Sequence, residues 1–322
     1  TLNVFYILEG NFQKQGSQFK INLRLNDGPL NKQIWSGSYS GEWKTNEIFE
    51  IQSKVAENVA NIMNVKLTER DYDAFTGIPT KSEEAYNYYL LAEYQNNKFN
   101  QTSFKNAIPL YEKAFAMDST FVEPLLGLAD IYVTGGAVWG LYGEQEAWRN
   151  AKFYLQKASA IDGENVRLSD QLFVGKFYFE WDFEAVEQYI SDNYAHKGAD
   201  NWNEYLFVDY YIKTGKCAYA LSELNKLILE DPSFGWLFAI RASVIFFLYS
   251  AAEAKKELKH IDPLFLDDMF YLREAAKWYY YFGAYEESRL MLEKLMNSFP
   301  DRPPIVAWLN AVHFEMANNR SG

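Results

Sequence analysis

The N-terminal part of the chain has the hydrophobic pattern of β-strands. Residues 4–8 are apolar, and residues 19–25 and 33–39 alternate between apolar and polar positions. The segments 15–17 and 26–29 between them are rich in residues that close hairpin turns. We therefore predict three antiparallel strands with one apolar face, which needs a cover to be stable.

A helix is predicted to supply that cover. Thr45-Asn46-Glu47 has the residue types that cap a helix. The apolar residues that follow recur every three or four positions and so share one face of a helix. They are Ile48, Ile51, Val55, Val59, Ile62 and Met63.

From residue 107 onward, one motif returns at a nearly constant interval. It is a small residue followed four positions later by a bulky one. The small residues are Ala107, Ala151, Ala185, Ala220, Ala254 and Ser288. The last four are 35, 34 and 34 residues apart, whereas the first step is 44, which predicts an inserted loop of about ten residues. Glycines precede the motif at 215 and 283, and prolines follow it at 232 and 300, as expected for helix turns and helix ends.

This pattern resembles the tetratricopeptide repeat, a pair of helices that recurs about every 34 residues. The resemblance implies a mainly α fold, with about six units over 83–302 and a capping helix and tail over 303–322. Such pairs stack into a right-handed superhelix because one pair cannot bury its apolar face alone, and the first helix of each pair lines a concave groove. An ordinary helical bundle is disfavoured because it has no fixed repeat.

Four blocks in the N-terminal residues resemble, in order, the second half of the TolB-like amino-terminal domain. They are Tyr6-Ile7-Leu8-Glu9-Gly10, residues 19–27, residues 34–39 and residues 48–52. The resemblance implies a partial α/β domain over 1–68 and a linker over 69–82. In that family the domain commonly precedes tetratricopeptide repeats in bacterial transcriptional regulators and class III cyclases. Asn11 and Gly41 depart from the family pattern. The elements that usually precede the first block are missing, so we expect a longer chain or a second chain to supply them.

Composition narrows the function. A hydrophobic fraction of 48% is typical of a folded chain. A net charge of −12 argues against nucleic acid binding on this segment. The single cysteine, Cys217, excludes a disulfide framework. No apolar run reaches the 18 residues that a membrane span needs.

The sequence contains no pattern for catalysis. Its three histidines, at 196, 260 and 313, fall in different units, so no paired metal-ligand spacing exists. Nucleophile-elbow and phosphate-loop motifs are absent as well. We therefore predict no metal, no cofactor and no enzymatic activity.

A binding surface is the remaining prediction. The tetratricopeptide resemblance implies that twelve residues on the first helices face the groove, although some of the aromatic ones are expected to pack against the next helix instead. They are Arg167, Asp170, Tyr178, Trp202, Tyr205, Asp209, Trp236, Phe246, Arg273, Lys277, Tyr280 and Tyr281. The glycine-rich loop 134–143 is either functional or an insertion that packs its own two exposed aromatic residues.

We thus expect a non-catalytic sensor or interaction region of a bacterial signalling or transcription-regulatory protein. Its groove would bind a protein, a peptide or a small molecule such as a sugar. The alternative is a constitutive scaffold that binds a partner peptide. By analogy with membrane-bound regulators, the periplasm is favoured as its location. The sequence leaves open whether the chain forms a homodimer.

Overall fold

A computed structural model describes residues 5–63, 79–194 and 201–319 of the chain. It confirms the predicted fold: a three-stranded antiparallel sheet followed by stacked helix pairs. Most of the predicted linker lies outside the described residues. The strands are β1 (Tyr6–Gln15), β2 (Gln18–Asp27) and β3 (Lys32–Glu42).

The described helices form six consecutive pairs, preceded by α1 and followed by α14. They are α1 (Thr45–Ile62), α2 (Glu83–Asn96), α3 (Gln101–Met117), α4 (Glu123–Val133), α5 (Glu144–Ile161), α6 (Val166–Gly175), α7 (Phe183–Tyr194), α8 (Asn201–Lys213), α9 (Cys217–Glu230), α10 (Gly235–Leu248), α11 (Ala251–Ile261), α12 (Met269–Tyr281), α13 (Tyr285–Ser298) and α14 (Pro303–Asn319). None of them is long and apolar enough to cross a membrane.

The strands lie in the order β1-β2-β3 and are longer than the hydrophobic pattern predicts. Gln15 pairs with Gln18 across a two-residue turn in which Gly16 has a φ of +59°. Because both strands remain paired up to this turn, their backbone groups stay hydrogen-bonded through polar positions that carry no apolar signal. The polar ends of the strands therefore belong to the sheet.

Helix α1 covers one face of the sheet, as predicted. Ile48 and Ile51 are buried with Phe19 of β2 in one apolar cluster, which also includes Tyr86 of α2. The Phe49 and Tyr86 rings are 5.2 Å apart. The indole nitrogen of Trp43 donates a hydrogen bond of 2.9 Å to the side chain of Asn87. The sheet is thus joined to the first repeat unit by apolar and polar contacts.

The repeated small residues lie where second helices pack most closely. The exposed fraction is 0–1% for five of the six predicted residues, Ala107, Ala151, Ala220, Ala254 and Ser288. The bulky residues four positions later are also buried in these five units. A methyl or hydroxymethyl group at these points lets two helices approach closely, while the bulky side chain fills the space beyond.

The third unit departs from the predicted register by one residue. Ala185 and Tyr189 are only half-buried, whereas Val186 and Ile190 are buried. Val186 lies 35 positions after Ala151 and 34 before Ala220, so the 35-residue step falls one interval earlier than predicted. The sequence motif required a small residue and therefore selected the neighbouring alanine.

The glycine turns within the pairs follow the predicted chemistry. Gly215 and Gly283 have φ values of +77° and +69°, which favour glycine. The turn after α2 is only four residues, 97–100, because Asn100 and Ser103 form a capping box that begins α3 at Gln101.

First helices line the inner side of the array. The first helices of adjacent units contact each other at α2–α4, α4–α6 and α10–α12, whereas adjacent second helices share no comparable contact in the described part of the chain. The stack therefore curves toward its first helices, and α2, α4, α6, α10 and α12 form the inner face. Helix α8 joins this face through the hydrogen bond between Tyr178 and Asp209 and the ring contact between Tyr205 and Trp236.

Two first helices end in a π-helical turn, at Thr134–Val138 after α4 and at Lys176–Glu180 after α6. Such turns widen the helix and redirect the side chains that follow. At the second turn, Gly175 lies against Trp148 so closely that a Cβ atom would be 1.9 Å from the indole ring. Glu180 accepts hydrogen bonds from Lys152 at 2.6 Å and from the Trp148 indole nitrogen at 2.9 Å.

A larger residue at a helix contact is expected to destabilise the array. Ala254→Leu adds three heavy atoms at a fully buried point, so we expect the free energy of unfolding to fall by about 1–3 kcal/mol. Ala252→Leu is the matched control because Ala252 is exposed on the same helix, and it should change that free energy by less than about 0.5 kcal/mol. Urea denaturation measures both. Equal losses would show that close helix contact does not set the 34-residue spacing.

Glu180 is expected to stabilise the fold at neutral pH, and this stabilisation is expected to be lost in acid. Hydrogen bonds from Lys152, Lys176 and Trp148 lower the pKa of Glu180 to about 2. A lowered folded-state pKa stabilises the fold above the ordinary glutamate pKa, and this contribution is lost as the pH falls toward 2. Glu180→Gln should therefore cost about 1–3 kcal/mol at neutral pH, with a smaller difference from the unmodified chain in acid.

The matched control is Glu184→Gln, since Glu184 is exposed on the next helix. Urea denaturation of all three proteins across the pH range measures the difference. A Glu180→Gln effect that stays constant with pH would exclude a role for the ionised carboxylate.

Candidate functional site: the inner face of the helical repeats

The two ends of the repeat array contact each other directly. The backbone N–H of Thr102, at the start of α3, donates to the carboxylate of Asp301 at 2.8 Å. Arg302 donates to the backbone carbonyl of Lys98 at 2.9 Å. These residues are about two hundred positions apart in the sequence. The first unit and the residues before α14 therefore close the array on itself.

A buried tryptophan lies at the centre of this closure. The Trp139 side chain is 1% exposed, and its ring centroid is 4.8 Å from the guanidinium carbon of Arg302 and 5.7 Å from that of Arg273. The Phe270 ring is 5.8 Å away on another side and itself contacts Phe99. We call this set of five residues the clasp: Phe99, Trp139, Phe270, Arg273 and Arg302. The expectation that loop 134–143 exposes its aromatic residues was wrong for Trp139, because the loop packs against the last unit.

Arg302 keeps its charge in an unusual environment. It is 6% exposed, and burial lowers the pKa of its guanidinium to about 10. It donates hydrogen bonds to the backbone carbonyls of Lys98, Phe299 and Pro300 and to the sulfur of Met269. Carbonyl dipoles and the face of the Trp139 ring thus stabilise the cation.

A polar cluster occupies the inner face next to the clasp. It consists of Tyr178, Asp209, Lys213, Arg273 and Glu274. The Tyr178 hydroxyl and the Lys213 ammonium both donate to one carboxylate oxygen of Asp209, each at 2.5 Å. Burial and the neighbouring Asp209 raise the pKa of Tyr178 well above its ordinary value. Glu274 and Arg273 of the sixth unit lie within electrostatic range of Tyr178.

Glu274 connects this cluster to the clasp. It is 1% exposed, accepts from Arg273 at 3.1 Å and from the Trp278 indole nitrogen at 3.1 Å, and forms an ion pair with Lys277. Burial opposes ionisation of Glu274, but Lys277 and Arg273 together outweigh it and hold its pKa below the ordinary value. Arg273 also donates to the Val138 carbonyl at 2.7 Å. One guanidinium therefore contacts both the cluster and the loop that carries Trp139.

An exposed aromatic patch borders Glu274. It consists of Phe247 at the end of α10 and of Lys277, Trp278 and Tyr281 on α12. The Phe247 and Tyr281 side chains are 53% and 62% exposed. The Trp278 ring centroid lies 6.0 Å from that of Phe247 and 5.6 Å from that of Tyr281. Lys277 lies over the Trp278 ring at 5.1 Å.

Four of the predicted groove residues thus meet in adjoining positions: Tyr178, Asp209 and Arg273 in the polar cluster, and Lys277 beside it. Tyr281 joins them in the patch. Tyr280 is half-buried on the same helix, and its ring centroid is 5.5 Å from that of Tyr285. Phe246 is half-buried against Phe282, at 5.0 Å.

The other predicted residues lie elsewhere. Asp170 is buried and accepts a hydrogen bond from Tyr189 of the second helix in its own unit. Tyr205 is buried with its ring 5.9 Å from that of Trp236. Arg167 lies 4.0 Å from Glu93 of the first unit. The side chain of Trp202 is outside the described residues.

Sequence reasoning missed Glu274, Trp139 and Arg302. Glu274 lies on the same helix between two predicted groove residues, Arg273 and Lys277, and this position could have suggested a role for it. Trp139 and Arg302 carry no such signal, because their roles depend on contacts between distant units.

A cleft of about 450 Å³ lies between α7 and the start of α9, lined by Glu187, Ile190, Ser191, Tyr210, Tyr211, Lys216 and Tyr219. None of the predicted groove residues lines it. Within the described ranges, no group of three or more His, Cys, Asp or Glu side chains could hold a metal ion.

Removal of the clasp tryptophan is expected to open the array. Trp139→Ala leaves a cavity between two arginines, so we expect a loss of about 3–5 kcal/mol in the free energy of unfolding. Because Trp139 joins the second unit to the last, we also expect a larger radius of gyration by small-angle scattering. Trp181→Ala is the matched control, since Trp181 is 66% exposed. A destabilised protein with an unchanged scattering profile would show that the clasp does not hold the curvature.

Comparison with known proteins supports the fold. No family model and no curated protein matches the sequence. The structure is similar to a tetratricopeptide repeat protein from Parabacteroides merdae, with 14% identity, 84% of this chain and 99% of that chain covered, and a TM-score of 0.51. It also matches a tetratricopeptide protein of Thermus thermophilus at 15% identity, with 71% and 99% covered and a TM-score of 0.34. A third match is a tetratricopeptide domain of yeast Sti1 in complex with pHSP90, at 13% identity, with 72% and 98% covered and a TM-score of 0.31. The first of these matches, with a TM-score above 0.5, shows that the chain has the tetratricopeptide fold.

Proposed function

We propose that this chain is a non-catalytic interaction module whose inner face binds a peptide segment of a partner protein. The observation that carries the proposal is the aromatic patch beside the polar cluster. Large aromatic side chains that remain exposed on a rigid helical surface are typical anchors of protein interfaces.

The patch is arranged for binding at a low entropic cost. Phe247 and Tyr281 both contact the half-buried Trp278 ring, so their side chains are already restricted before a partner arrives. Trp278 is in turn fixed by the hydrogen bond from its indole nitrogen to Glu274. Restricting side chains in advance reduces the freedom that is lost on association.

The charge of the site indicates the chemistry of the partner. Lys213, Arg273 and Lys277 provide three positive charges, whereas Asp209 and Glu274 provide two negative charges. The site is thus positive by one charge in a chain whose net charge is −12. We therefore propose a peptide that combines an aromatic or aliphatic side chain with an acidic group.

Arg273 favours a sensor over a constitutive scaffold. Its guanidinium donates to Glu274 in the polar cluster and to Val138 beside the clasp tryptophan. An acidic ligand group that competes for this guanidinium would weaken one of these bonds, so binding would be coupled to closure of the array. In a constitutive scaffold, binding would leave the clasp unchanged.

The larger context of the module is also part of the proposal. The four N-terminal blocks that resemble a TolB-like domain support a separate domain over 1–68, joined through 69–82 to the repeats. On that resemblance we propose that the module belongs to a periplasmic sensor region of a bacterial signalling or transcription-regulatory protein whose output domain lies elsewhere.

The binding proposal predicts a specific loss of affinity. Peptides selected from a phage-displayed random library against the intact chain should be enriched in acidic and aromatic residues. Phe247→Ala and Tyr281→Ala should each weaken the selected peptides about tenfold, because each removes an anchor worth more than about 1 kcal/mol. Fluorescence anisotropy with labelled peptides measures the dissociation constants.

The matched control is Phe153→Ala, because Phe153 is 51% exposed on the second helix α5. Peptides that bind all three variants as tightly as the unmodified chain would place the binding surface elsewhere. Scattering with and without the peptide separates the two roles: a sensor changes its radius of gyration on binding, and a scaffold does not.

A further inference from the structure

Within the described residues, strand β1 is a ten-residue sheet edge that pairs only with β2. It lies at the end of the order β1-β2-β3, and all ten of its residues are exposed. Soluble proteins usually shorten, charge or cover such edges, because the unpaired backbone groups can pair with another strand. β1 carries only one acidic and one basic side chain, Glu9 and Lys14.

The hairpin geometry shows which backbone groups face outward. Gln15 pairs with Gln18 at the turn, and Gly28 donates to the carbonyl of Phe5 at the other end. Hydrogen-bonded positions alternate along an antiparallel pair, so the odd-numbered residues bond to β2. The even-numbered residues direct their N–H and C=O groups away from the sheet. They are Tyr6, Leu8, Gly10, Phe12 and Lys14.

The same residues continue the apolar face of the sheet. Leu8 pairs with Leu25 and Phe12 pairs with Ile21, so their side chains share the face that α1 covers. Helix α1 contacts β3, at the far side of the sheet, and leaves Leu8 and Phe12 about half exposed, at 49% and 51%. An apolar strip therefore lies directly beside the open edge.

We propose that β1 pairs in antiparallel orientation with β1 of a second copy of this chain, about a twofold axis at Gly10. The pairing would form a continuous six-stranded sheet. Each of the five outward-facing residues would donate one hydrogen bond and accept one. The exposed apolar strips of the two copies would bury each other. This inference does not depend on the proposed peptide binding.

The side chains select this register among the symmetric alternatives. An axis at Glu9 would place two glutamates opposite each other, which is unfavourable. An axis at Asn11 would place Leu8 opposite Lys14. With the axis at Gly10, Leu8 lies opposite Phe12, Tyr6 lies opposite Lys14, and Glu9 lies opposite Asn11. Because of the twofold symmetry, the apolar pair and the cation–aromatic pair each occur twice, and no like charges lie opposite each other.

Cysteine cross-linking tests both the pairing and its register. In the proposed dimer, residues 9 and 11 face each other at a non-hydrogen-bonded pair, where the Cα atoms are about 4.5 Å apart. This distance is within reach of a disulfide. The full chain with Cys217→Ser, Glu9→Cys and Asn11→Cys should therefore form a covalent dimer on mild oxidation, seen on a non-reducing gel.

Two control variants in the Cys217→Ser background report the other registers. Glu9→Cys alone would cross-link readily only about an axis at Glu9. Ile7→Cys with Asn11→Cys would cross-link about an axis at Glu9 or at Asn11. We expect at least a tenfold slower cross-linking in both controls. Equal rates in all three variants would overturn the register, and the absence of cross-linking in the first variant would overturn the pairing.

Sedimentation equilibrium of chains without added cysteines provides an independent measurement. The unmodified chain should have the mass of a dimer, and Leu8→Lys should weaken the dimer at least tenfold by placing a charge in the apolar strip. Phe314→Lys is the matched control, because Phe314 is 66% exposed on α14. Circular dichroism shows whether each variant is folded. A monomeric unmodified chain, or a dimer that Leu8→Lys leaves intact, would exclude the proposal.

Discussion

The burial of Trp139 between two arginines is the contact on which the inner face depends. Stacked helix pairs contact only their neighbours, so nothing in the repeat pattern by itself fixes how the first units lie relative to the last. The clasp supplies that constraint. Trp139 follows the π-helical turn at the end of α4 and packs against Phe270 at the start of α12. With this contact formed, Tyr178 of the third unit lies within electrostatic range of Glu274 in the sixth. The polar cluster is thus a result of closure and not of the order of the repeats along the chain.

Charges hold this region together at a cost in desolvation. Arg273, Glu274 and Arg302 are all largely buried, and burial of an ion is unfavourable unless other groups replace its water. Glu274 has two cations and an indole N–H as partners. Arg302 has carbonyl oxygens and an aromatic face. An apolar clasp of the same volume could be as stable, but it would not fix directions as hydrogen bonds do. We infer that the ionic contacts make the closed arrangement specific.

The features that were predicted from sequence are those that depend on local spacing. The buried alanines and Ser288 share one position in a helix pair, and Gly215 and Gly283 share one turn, so the 34-residue period shows them directly. Even here the motif selected Ala185 over Val186, because burial depends on the helix face and not on residue size alone. The clasp could not be predicted in this way. Trp139 lies in a glycine-rich loop that looks exposed, and Arg302 follows a helix end, where a charged residue normally faces water. The contacts that join Trp139 to the last unit and Arg302 to the first two units span more than a hundred residues, and no local pattern encodes such a distance.

Arg273 is the residue through which the proposed binding would be coupled to closure of the array. A guanidinium has a fixed set of donors in one plane, so it cannot follow a new acceptor without turning away from another. The donors of Arg273 are divided between Glu274 and the Val138 carbonyl. A ligand carboxylate that binds Lys277 above the Trp278 ring would lie near the hydrogen bonds of Arg273, because Lys277 already forms an ion pair with Glu274. If the ligand takes over Lys277, Glu274 depends more strongly on Arg273, and the bond to Val138 weakens. If the ligand takes Arg273 itself, that bond is lost directly. If the proposed binding occurs, both routes would loosen the loop that carries Trp139, so an acidic ligand would favour an open array whichever cation it binds first.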